Sequence, residues 1–251
     1  SNTAVGHQAM ENNTTGSEGT ALGYNALDAN TTASYNTALG YHCLTSNTTG
    51  SQNTAVGRAA LQDNVTGDYN TAVGYNSLIN NTGHSNTGVG RAALTTLSTG
   101  NYNTAVGRDA LIQVATGHNN TAVGYGALDA YTGNENVAVG VDALGACTTG
   151  DSNVAVGADS AEFLTTGGSC VAVGHDSLRY SNGGYNTAVG RRALLGVSGS
   201  TTGQYNTAIG KDALLRLTTG NQNVAIGQAS GDNCTTGNQN TYLGDNAGNT
   251  H

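Results

Sequence analysis

A repeat of about seventeen residues fills the whole chain and constrains its fold more than any other feature. The clearest copy runs from Asn53 to Tyr69 and reads Asn-Thr-Ala-Val-Gly-Arg-Ala-Ala-Leu-Gln-Asp-Asn-Val-Thr-Gly-Asp-Tyr. The glycine that closes its first five residues recurs at Gly6, Gly23, Gly40, Gly57, Gly74, Gly90, Gly107, Gly124, Gly140, Gly157, Gly174, Gly190, Gly210, Gly227 and Gly244. A short fixed period is typical of solenoids, in which each coil packs only on its neighbours, so we predict a single repeat domain over residues 1–251 with no clear caps.

Composition limits what this domain can bury and bind. The chain has 38 Gly, one Phe, no Pro and no Trp, so its interior must be thin and made of Ala, Val, Leu and Thr. The net charge of −8, with eight Lys and Arg spread along the chain, argues against nucleic acid as a partner. No apolar run approaches the roughly 20 residues of a membrane-spanning helix, so we expect no membrane insertion.

The four cysteines do not fit a disulfide framework. If one repeat is one coil, Cys147 and Cys234 share a position in the repeat but lie about 24 Å apart, which is too far for a disulfide. We interpret Cys43 and Cys170 as small residues that replace the usual Ala and Asn of their positions.

Positions in the repeat are numbered as columns from its Asn, so that column 1 is Asn53 and column 5 is Gly57. Columns 2 and 4 are β-branched or aliphatic and column 3 is almost always Ala, which predicts a strand with both faces buried. The Ala of column 3 fits close packing between subunits and a tight coil interior equally well. Column 9 is usually Leu and is expected to turn inward, on a second short strand or bend, to meet column 4. The predicted structural ladder is Asn53, Ala55, Val56, Gly57 and Leu61, with Asn side chains hydrogen-bonded from coil to coil.

Columns 10 to 15 form a variable polar stretch that ends in Thr-Gly and contains all changes in repeat length. Since insertions are tolerated in outward turns, we interpret this stretch as the outer loop of each coil. It contains Asn-x-Thr sequons whose expected exposure would allow glycosylation in a suitable host. They begin at Asn13, Asn30, Asn47, Asn64 and Asn233.

Together these patterns predict an all-β chain. The expected fold is a parallel β-solenoid, a β-roll or β-helix, of about 15 coils with two or three short strands each. At the usual strand spacing such a stack would be on the order of 70 Å long.

Two sequence stretches carry a resemblance to known repeat proteins. Residues 36–44, Asn-Thr-Ala-Leu-Gly-Tyr-His-Cys-Leu, and 136–144, Asn-Val-Ala-Val-Gly-Val-Asp-Ala-Leu, resemble the head repeats of trimeric autotransporter adhesins of the YadA type. The chain also looks like the Asn-Thr-Ala-Val-Gly…Ala-Leu…Thr-Thr-Gly arrays of tail-fibre-like surface proteins of phages, large viruses and bacteria. The resemblance covers the entire chain and implies left-handed coils, surface exposure and trimerisation. The adhesin heads have a shorter repeat, and the additional residues here fall in the Asn-Thr-Thr-Gly loop.

Column 6 carries the candidate recognition residues. Long aromatic and cationic side chains on a rigid surface are typical of partner or glycan recognition. These residues are Tyr24, Tyr41, Tyr75, Tyr125, Arg58, Arg91 and Arg108. The alternative is that an outward column accepts any soluble residue and that stacked Tyr shields the coil edges.

Column 7 carries Asp142, Asp159 and Asp176 in three consecutive coils. Carboxylates about 4.8 Å apart repel one another unless a cation or a basic group lies between them, so weak Ca²⁺ binding is one interpretation. Hydrated surface carboxylates are the other, and we expect no resident metal.

No column points to catalysis. The six His are scattered over different columns, and no nucleophile set or phosphate-binding loop stands out. We therefore predict that the chain is not an enzyme, has no catalytic residues and uses no cofactor. An enzymatic groove would need a break in the repeat, and the main break, near residues 196–200, is small and uncharged.

These observations favour a structural and adhesive fibre: a rigid β-solenoid rod of a virion tail fibre or of an extracellular or cell-surface filament. Its expected partners are copies of itself, as a homotrimer or a head-to-tail filament, together with a host-surface glycan or receptor. The alternative is an ice- or glycan-binding module that uses the loop Thr residues or the Tyr and Arg of column 6.

Overall fold

The computed structural model describes residues 1–130 and 132–249. It confirms the predicted fold class, because fifteen parallel strands, one per repeat, stack in chain order as a β-solenoid and the described residues contain no helix. The chain divides into two compact units, Ser1–Val123 and Gly124–His251. The left-handed sense of the coils stays a prediction.

Every strand is three residues long and covers columns 2 to 4 of its repeat. The first unit contains β1 (Thr3–Val5), β2 (Thr20–Leu22), β3 (Thr37–Leu39), β4 (Thr54–Val56), β5 (Thr71–Val73), β6 (Thr87–Val89), β7 (Thr104–Val106) and β8 (Thr121–Val123). The second contains β9 (Val137–Val139), β10 (Val154–Val156), β11 (Val171–Val173), β12 (Thr187–Val189), β13 (Thr207–Ile209), β14 (Val224–Ile226) and β15 (Thr241–Leu243). Within each unit neighbouring strands pair in register, so each column stacks on itself from coil to coil.

The prediction of two or three strands in each coil is wrong. After each strand, columns 6 to 11 form a turn rather than a second strand. The backbone takes left-handed φ values at columns 7 and 9, such as 56° at Ala59 and 50° at Leu61, and an extended strand does not allow them. The coils remain bonded here, since Leu61 N–H donates to the Ser77 carbonyl at 3.1 Å.

Only one face of the strand is buried, which corrects the prediction that both are. Ala55 is fully buried, whereas Thr54 is exposed and Val56 is half-buried. Columns 2 and 4 do share a face, as side-chain alternation requires, but that face is the outside of the coil. Leu61 is buried as predicted, but it does not meet column 4, because column 4 points away from the interior.

The interior is a thin layer of small and medium side chains. Ala of column 3, Ala or Ser of column 8 and Leu of column 9 are buried in most coils. Gly88, which replaces Ala in β6, shows how closely they pack: a Cβ there would lie 2.6 Å from Ser77 Oγ and 3.2 Å from Leu78 Cγ. This close packing restricts column 3 to the smallest side chains.

Glycine is required at column 5 for two reasons. Gly57 has a φ of +130°, in a region that residues with a Cβ essentially do not occupy. A Cβ at Gly57 would also lie 2.6 Å from the carbonyl oxygen of Gly74 in the next coil. The recurring glycine of the sequence therefore marks a close backbone approach between coils.

The Asn of column 1 closes its own coil and bonds to the next one. The side chain of Asn53 is fully buried. Its Nδ2 donates to the Gly67 carbonyl of the same coil at 2.8 Å, and its Oδ1 accepts from Asn70 N–H at 2.9 Å. The predicted bonding along the axis is thus present, but it runs mainly from backbone N–H to side-chain oxygen.

A second Asn ladder occupies column 12 and corrects the expected exposure for three of the five sequons, whereas Asn13 is half-buried and Asn233 is exposed as expected. Asn30, Asn47 and Asn64 are buried. Asn47 Nδ2 donates to Asn30 Oδ1 at 3.2 Å, and Asn64 Nδ2 donates to Asn47 Oδ1 at 3.1 Å. In the folded chain these three side chains face inward and are inaccessible to glycosylation.

Candidate recognition surfaces

Five column 6 side chains of the first unit form a continuous exposed strip, here called the aromatic strip: His7, Tyr24, Tyr41, Arg58 and Tyr75. Rings of His7 and Tyr24 stack at 5.2 Å, and those of Tyr24 and Tyr41 at 5.3 Å. The Arg58 guanidinium lies 5.8 Å from the Tyr41 ring centre and 5.2 Å from that of Tyr75, and it donates to Tyr75 Oη at 2.9 Å. The strip presents stacked rings and one cation to solvent, an arrangement suited to recognition.

The remaining column 6 candidates, Arg91, Arg108 and Tyr125, lie outside the aromatic strip. Arg91 and Arg108 both pair with Asp109, with nitrogen–oxygen distances of 3.6 and 2.9 Å. Tyr125 is exposed and belongs to the second unit. The structure therefore brings four of the seven predicted residues, Tyr24, Tyr41, Arg58 and Tyr75, into one strip.

The acidic residues of column 7 have a backbone reason to be there. Asp142, Asp159 and Asp176 have φ values of 50°, 55° and 58°. Asp and Asn tolerate the left-handed region better than most residues, because their short polar side chains can bond locally. The Asp-rich column is therefore explained by the turn, without a metal.

Arg179 lies among these acidic side chains. Its guanidinium nitrogens are 2.6 Å from carboxylate oxygens of Asp176 and of Glu162, and 3.7 Å from Asp159. Burial acts to lower the pKa of Arg179, but the hydrogen bond to Asp176 and the nearby acidic charges raise it above its ordinary value. Burial raises the pKa of Glu162, and Arg179 opposes that shift.

One oxygen or nitrogen from each of Asp159, His175 and Asp176 lies within 4.8 Å of the others, a spacing that a metal ion accepts. His175 Nδ1 is 2.7 Å from an Asp176 oxygen. Asp142 lies outside this group, and its pKa is raised by burial and by the charge of Asp159. Because Arg179 and His175 neighbour these carboxylates, the chain itself supplies the basic groups that keep them together.

The hydroxyl of the first Thr of the outer loop donates a hydrogen bond to the next coil. Thr31 Oγ1 donates to the Thr48 carbonyl at 3.1 Å, and Thr48 Oγ1 donates to the Val65 carbonyl at 3.2 Å. The same bond recurs in the second unit, where Thr148 Oγ1 donates to the Thr165 carbonyl at 3.0 Å. These hydroxyl protons are therefore unavailable to an external ligand.

Column 4 forms the outer row, an aliphatic line along the solvent-facing side of the strands. In the first unit Val73 and Val106 are 36% and 37% exposed. In the second unit Val139 is 37% exposed and Ile226 is 39% exposed. The row repeats at the strand spacing and lies beside the Thr or Val side chains of column 2, so each unit carries an uncharged strand face.

A cavity of about 250 Å³ lies beside the main break of the repeat. Its lining includes Phe163, Tyr180, Asn182 and Ser198. The break itself is small and uncharged, as the sequence indicates, but the two aromatic residues beside it are absent from the predicted sites. The signal was present in column 11, whose only two aromatic residues, Phe163 and Tyr180, fall in the two coils before the insertion.

The described part of the chain offers no helix that would cross a lipid bilayer. Comparisons of the sequence and structure with protein-family models, curated proteins and solved structures return no match.

Proposed function

We propose that this chain is a structural segment of a fibre, a β-solenoid that associates with further copies of itself on a virion surface, a cell surface or an extracellular filament. The role is non-catalytic, needs no cofactor and involves neither nucleic acid nor membrane insertion. The observation that carries the proposal is the outer row of column 4. It is an exposed aliphatic line in a chain that otherwise exposes mostly polar residues.

The occupant that best fits the outer row is a second copy of the same chain. Columns 2 and 4 contain only Thr, Val, Leu and Ile, so the strand face has no charge to repel a copy of itself. Its side chains repeat at the spacing of stacked strands, so two or three identical faces can interdigitate over many coils. Extended exposed apolar surface of this kind marks interaction sites in soluble proteins.

An adhesive role would use the aromatic strip, which lies on a different column from the outer row. The stacked rings of Tyr24 and Tyr41 and the guanidinium of Arg58 are exposed side chains held by their neighbours. Such preorganised aromatic and Arg groups favour binding of a host-surface glycan or receptor.

Mass in solution tests the fibre proposal. Light scattering of the intact chain should give a trimer or a larger assembly, and small-angle scattering should give an elongated particle. The double variant Val73→Lys and Val106→Lys should be monomeric with an unchanged circular dichroism spectrum, because two buried charges would oppose association. Gln113→Lys, at an exposed loop position, is the matched control and should assemble normally.

A monomeric wild-type chain would refute self-association through the outer row. A second candidate function would then apply, namely ice binding. The observation that favours it is the Thr of column 2 beside the aliphatic residue of column 4 on the exposed strand face, as at Thr54 and Val56. The loop Thr residues are less suited, since their protons bond to neighbouring coils. Thermal hysteresis of the monomer would be the measurement.

A further inference from the structure

The one long step of the repeat builds a projecting turn in the second unit. From Gly190 to Gly210 the step is 20 residues, three more than the usual 17. Residues 197–200 are exposed, and Ser200 N–H donates to the Val197 carbonyl at 3.0 Å. The regular coil resumes at Thr201, which forms a parallel bridge with Ser181. The inserted residues are therefore added outside an otherwise normal coil.

Two aromatic side chains lie against this turn. Phe163 and Tyr180 occupy column 11 of the two preceding coils, and their rings stack at 5.3 Å with an interplanar angle of 9°. The next residue in that column is Gly196, so no side chain from that position covers the Tyr180 ring. The Arg179 guanidinium lies 5.9 Å and 5.5 Å from the two ring centres, and its bond to Asp176 holds it there.

The rest of the cavity lining is polar and uncharged. It includes Thr165, Asn182, Ser198 and Thr202. Asn182 Oδ1 accepts from Thr165 Oγ1 at 3.0 Å and from Thr166 N–H at 2.8 Å, which fixes the side-chain amide. Among the residues that the structure describes, Asn182 Nδ2, Ser198 Oγ and Thr202 Oγ1 make no hydrogen bond to protein. The cavity thus combines an aromatic wall with fixed or exposed polar groups that lack protein partners.

We propose that this cavity binds a neutral sugar in its pyranose form, as a single residue or the end of a glycan. A pyranose has an apolar C–H face, which suits the uncovered face of the Tyr180 ring that stacks on Phe163. Its rim of hydroxyls suits the Asn182 amide and the Ser198 and Thr202 hydroxyls. The volume of about 250 Å³ is below the roughly 300–1,000 Å³ of pockets for drug-sized ligands, so one ring is the expected occupant. The absence of charge in the lining favours a neutral sugar. This inference does not rest on the proposed fibre role.

Saturation-transfer NMR on the intact chain tests this site with four probes: the methyl glycosides of glucose, galactose, mannose and N-acetylglucosamine. At least one should receive saturation at its ring C–H protons, with a dissociation constant in the millimolar range. Phe163→Ala should reduce that signal at least fivefold. Deletion of residues 198–200, which restores a 17-residue step, should abolish it.

Tyr185→Ala is the matched control. Tyr185 is an exposed aromatic residue of the same unit that stacks on Tyr205 at 4.9 Å and does not line the cavity. This variant should bind like the wild type, and circular dichroism should show that all three variants stay folded. The proposal is overturned if none of the four glycosides receives saturation, or if the signal is the same in Phe163→Ala and the wild type.

Discussion

At the scale of single residues, the unusual feature of this fold is the left-handed backbone conformation of non-glycine residues such as Leu61. Leu61 has a φ of 50°, which costs about 1–2 kcal/mol relative to a right-handed conformation. Full burial of a Leu side chain returns about 1.5–3 kcal/mol, and Leu61 is completely buried. The turn at column 9 is therefore stabilised by the core contact that it creates, which explains why a γ-branched residue tolerates this conformation in coil after coil.

Gly57→Ala should be one of the most damaging single changes. The substitution places a Cβ at a φ of +130° and 2.6 Å from the Gly74 carbonyl oxygen. We expect a loss of about 3 kcal/mol or more in the free energy of unfolding, from backbone strain and steric overlap together. Gly199→Ala is the control, since a Cβ at Gly199 meets nothing within 4 Å, and it should cost only about 1 kcal/mol. Equal losses in urea denaturation would contradict this explanation.

Cys43 should make the stability of the chain sensitive to alkaline pH. Burial raises the pKa of the Cys43 thiol to about 12 from an ordinary value of 9.0. The folded state therefore holds its proton through a range in which the unfolded state loses it. The stability that this provides is complete below pH 9 and is lost as the pH rises from 9 towards 12.

The variant Cys43→Ala measures that effect, because Ala is common at this column. At pH 10 the free energy of unfolding of the wild type should have fallen relative to the variant by about 1.4 kcal/mol, compared with the difference at pH 7. Native Cys43 should also resist alkylation at pH 8, in contrast to the partly exposed Cys234. Rapid alkylation of native Cys43 would show that the thiol is accessible.

At the scale of the element, neighbouring coils are joined by hydrogen bonds between their backbones, and some backbone N–H groups donate instead to a side chain of the next coil. Column 16 illustrates this where it holds a side-chain acceptor: Ser17 N–H donates to Ser34 Oγ at 3.0 Å, and Asp68 N–H donates to His84 Nδ1 at 3.1 Å. Ser, Asp, Asn and His each accept from the same backbone donor, whereas Gly168 and Gly184 in this column have no side-chain acceptor. The His of this column are hydrogen-bond acceptors of the coil.

The buried face of the strand can be tested with Ala122→Leu. Ala122 is fully buried in column 3, and the added methylenes have no space in the thin interior. We expect a loss of about 1–3 kcal/mol or more in the free energy of unfolding. Gln113→Leu, in the exposed loop of the same unit, should be nearly silent. If both variants unfold like the wild type, the assignment of column 3 to the interior is wrong.

At the scale of the whole molecule, both units follow the same rule of construction. Strand pairing within each unit joins only neighbours in the sequence, as from β3 to β4 and from β10 to β11. Stability in such an array is approximately the sum of the contributions of the coils and of their interfaces with neighbouring coils. A unit should therefore contain most of the interactions that it needs.

We predict that a fragment of residues 1–123 folds without the rest of the chain. Its circular dichroism per residue should match that of the full chain, and it should unfold cooperatively at a somewhat lower temperature, since it has fewer coil interfaces. Limited proteolysis and thermal unfolding would check this. A fragment that is digested as rapidly as an unfolded chain would show that the first unit depends on residues beyond Val123.

The repeat by itself determined the solenoid. A period of about seventeen residues with Ala, Gly, Leu and Asn at fixed columns admits only a stack in which each residue type meets its own copies. The requirement for Gly57 and the inward direction of Leu61 also followed from size and conformational freedom. These properties depend on the residue type at a single column, so they can be predicted from composition and spacing.

The tertiary structure alone decided which side of each coil faces water. A strand with Thr54 and Val56 on one side and Ala55 on the other has small or medium uncharged side chains on both sides, and alternation cannot say which side is inside. The coil walls approach so closely that only Ala fits between them, so the aliphatic row lies outside, and the column 12 residues Asn30, Asn47 and Asn64 face inward. The cavity at Phe163 and Tyr180 likewise needed the stacked register, because it joins residues of three coils that lie up to 39 positions apart in the sequence.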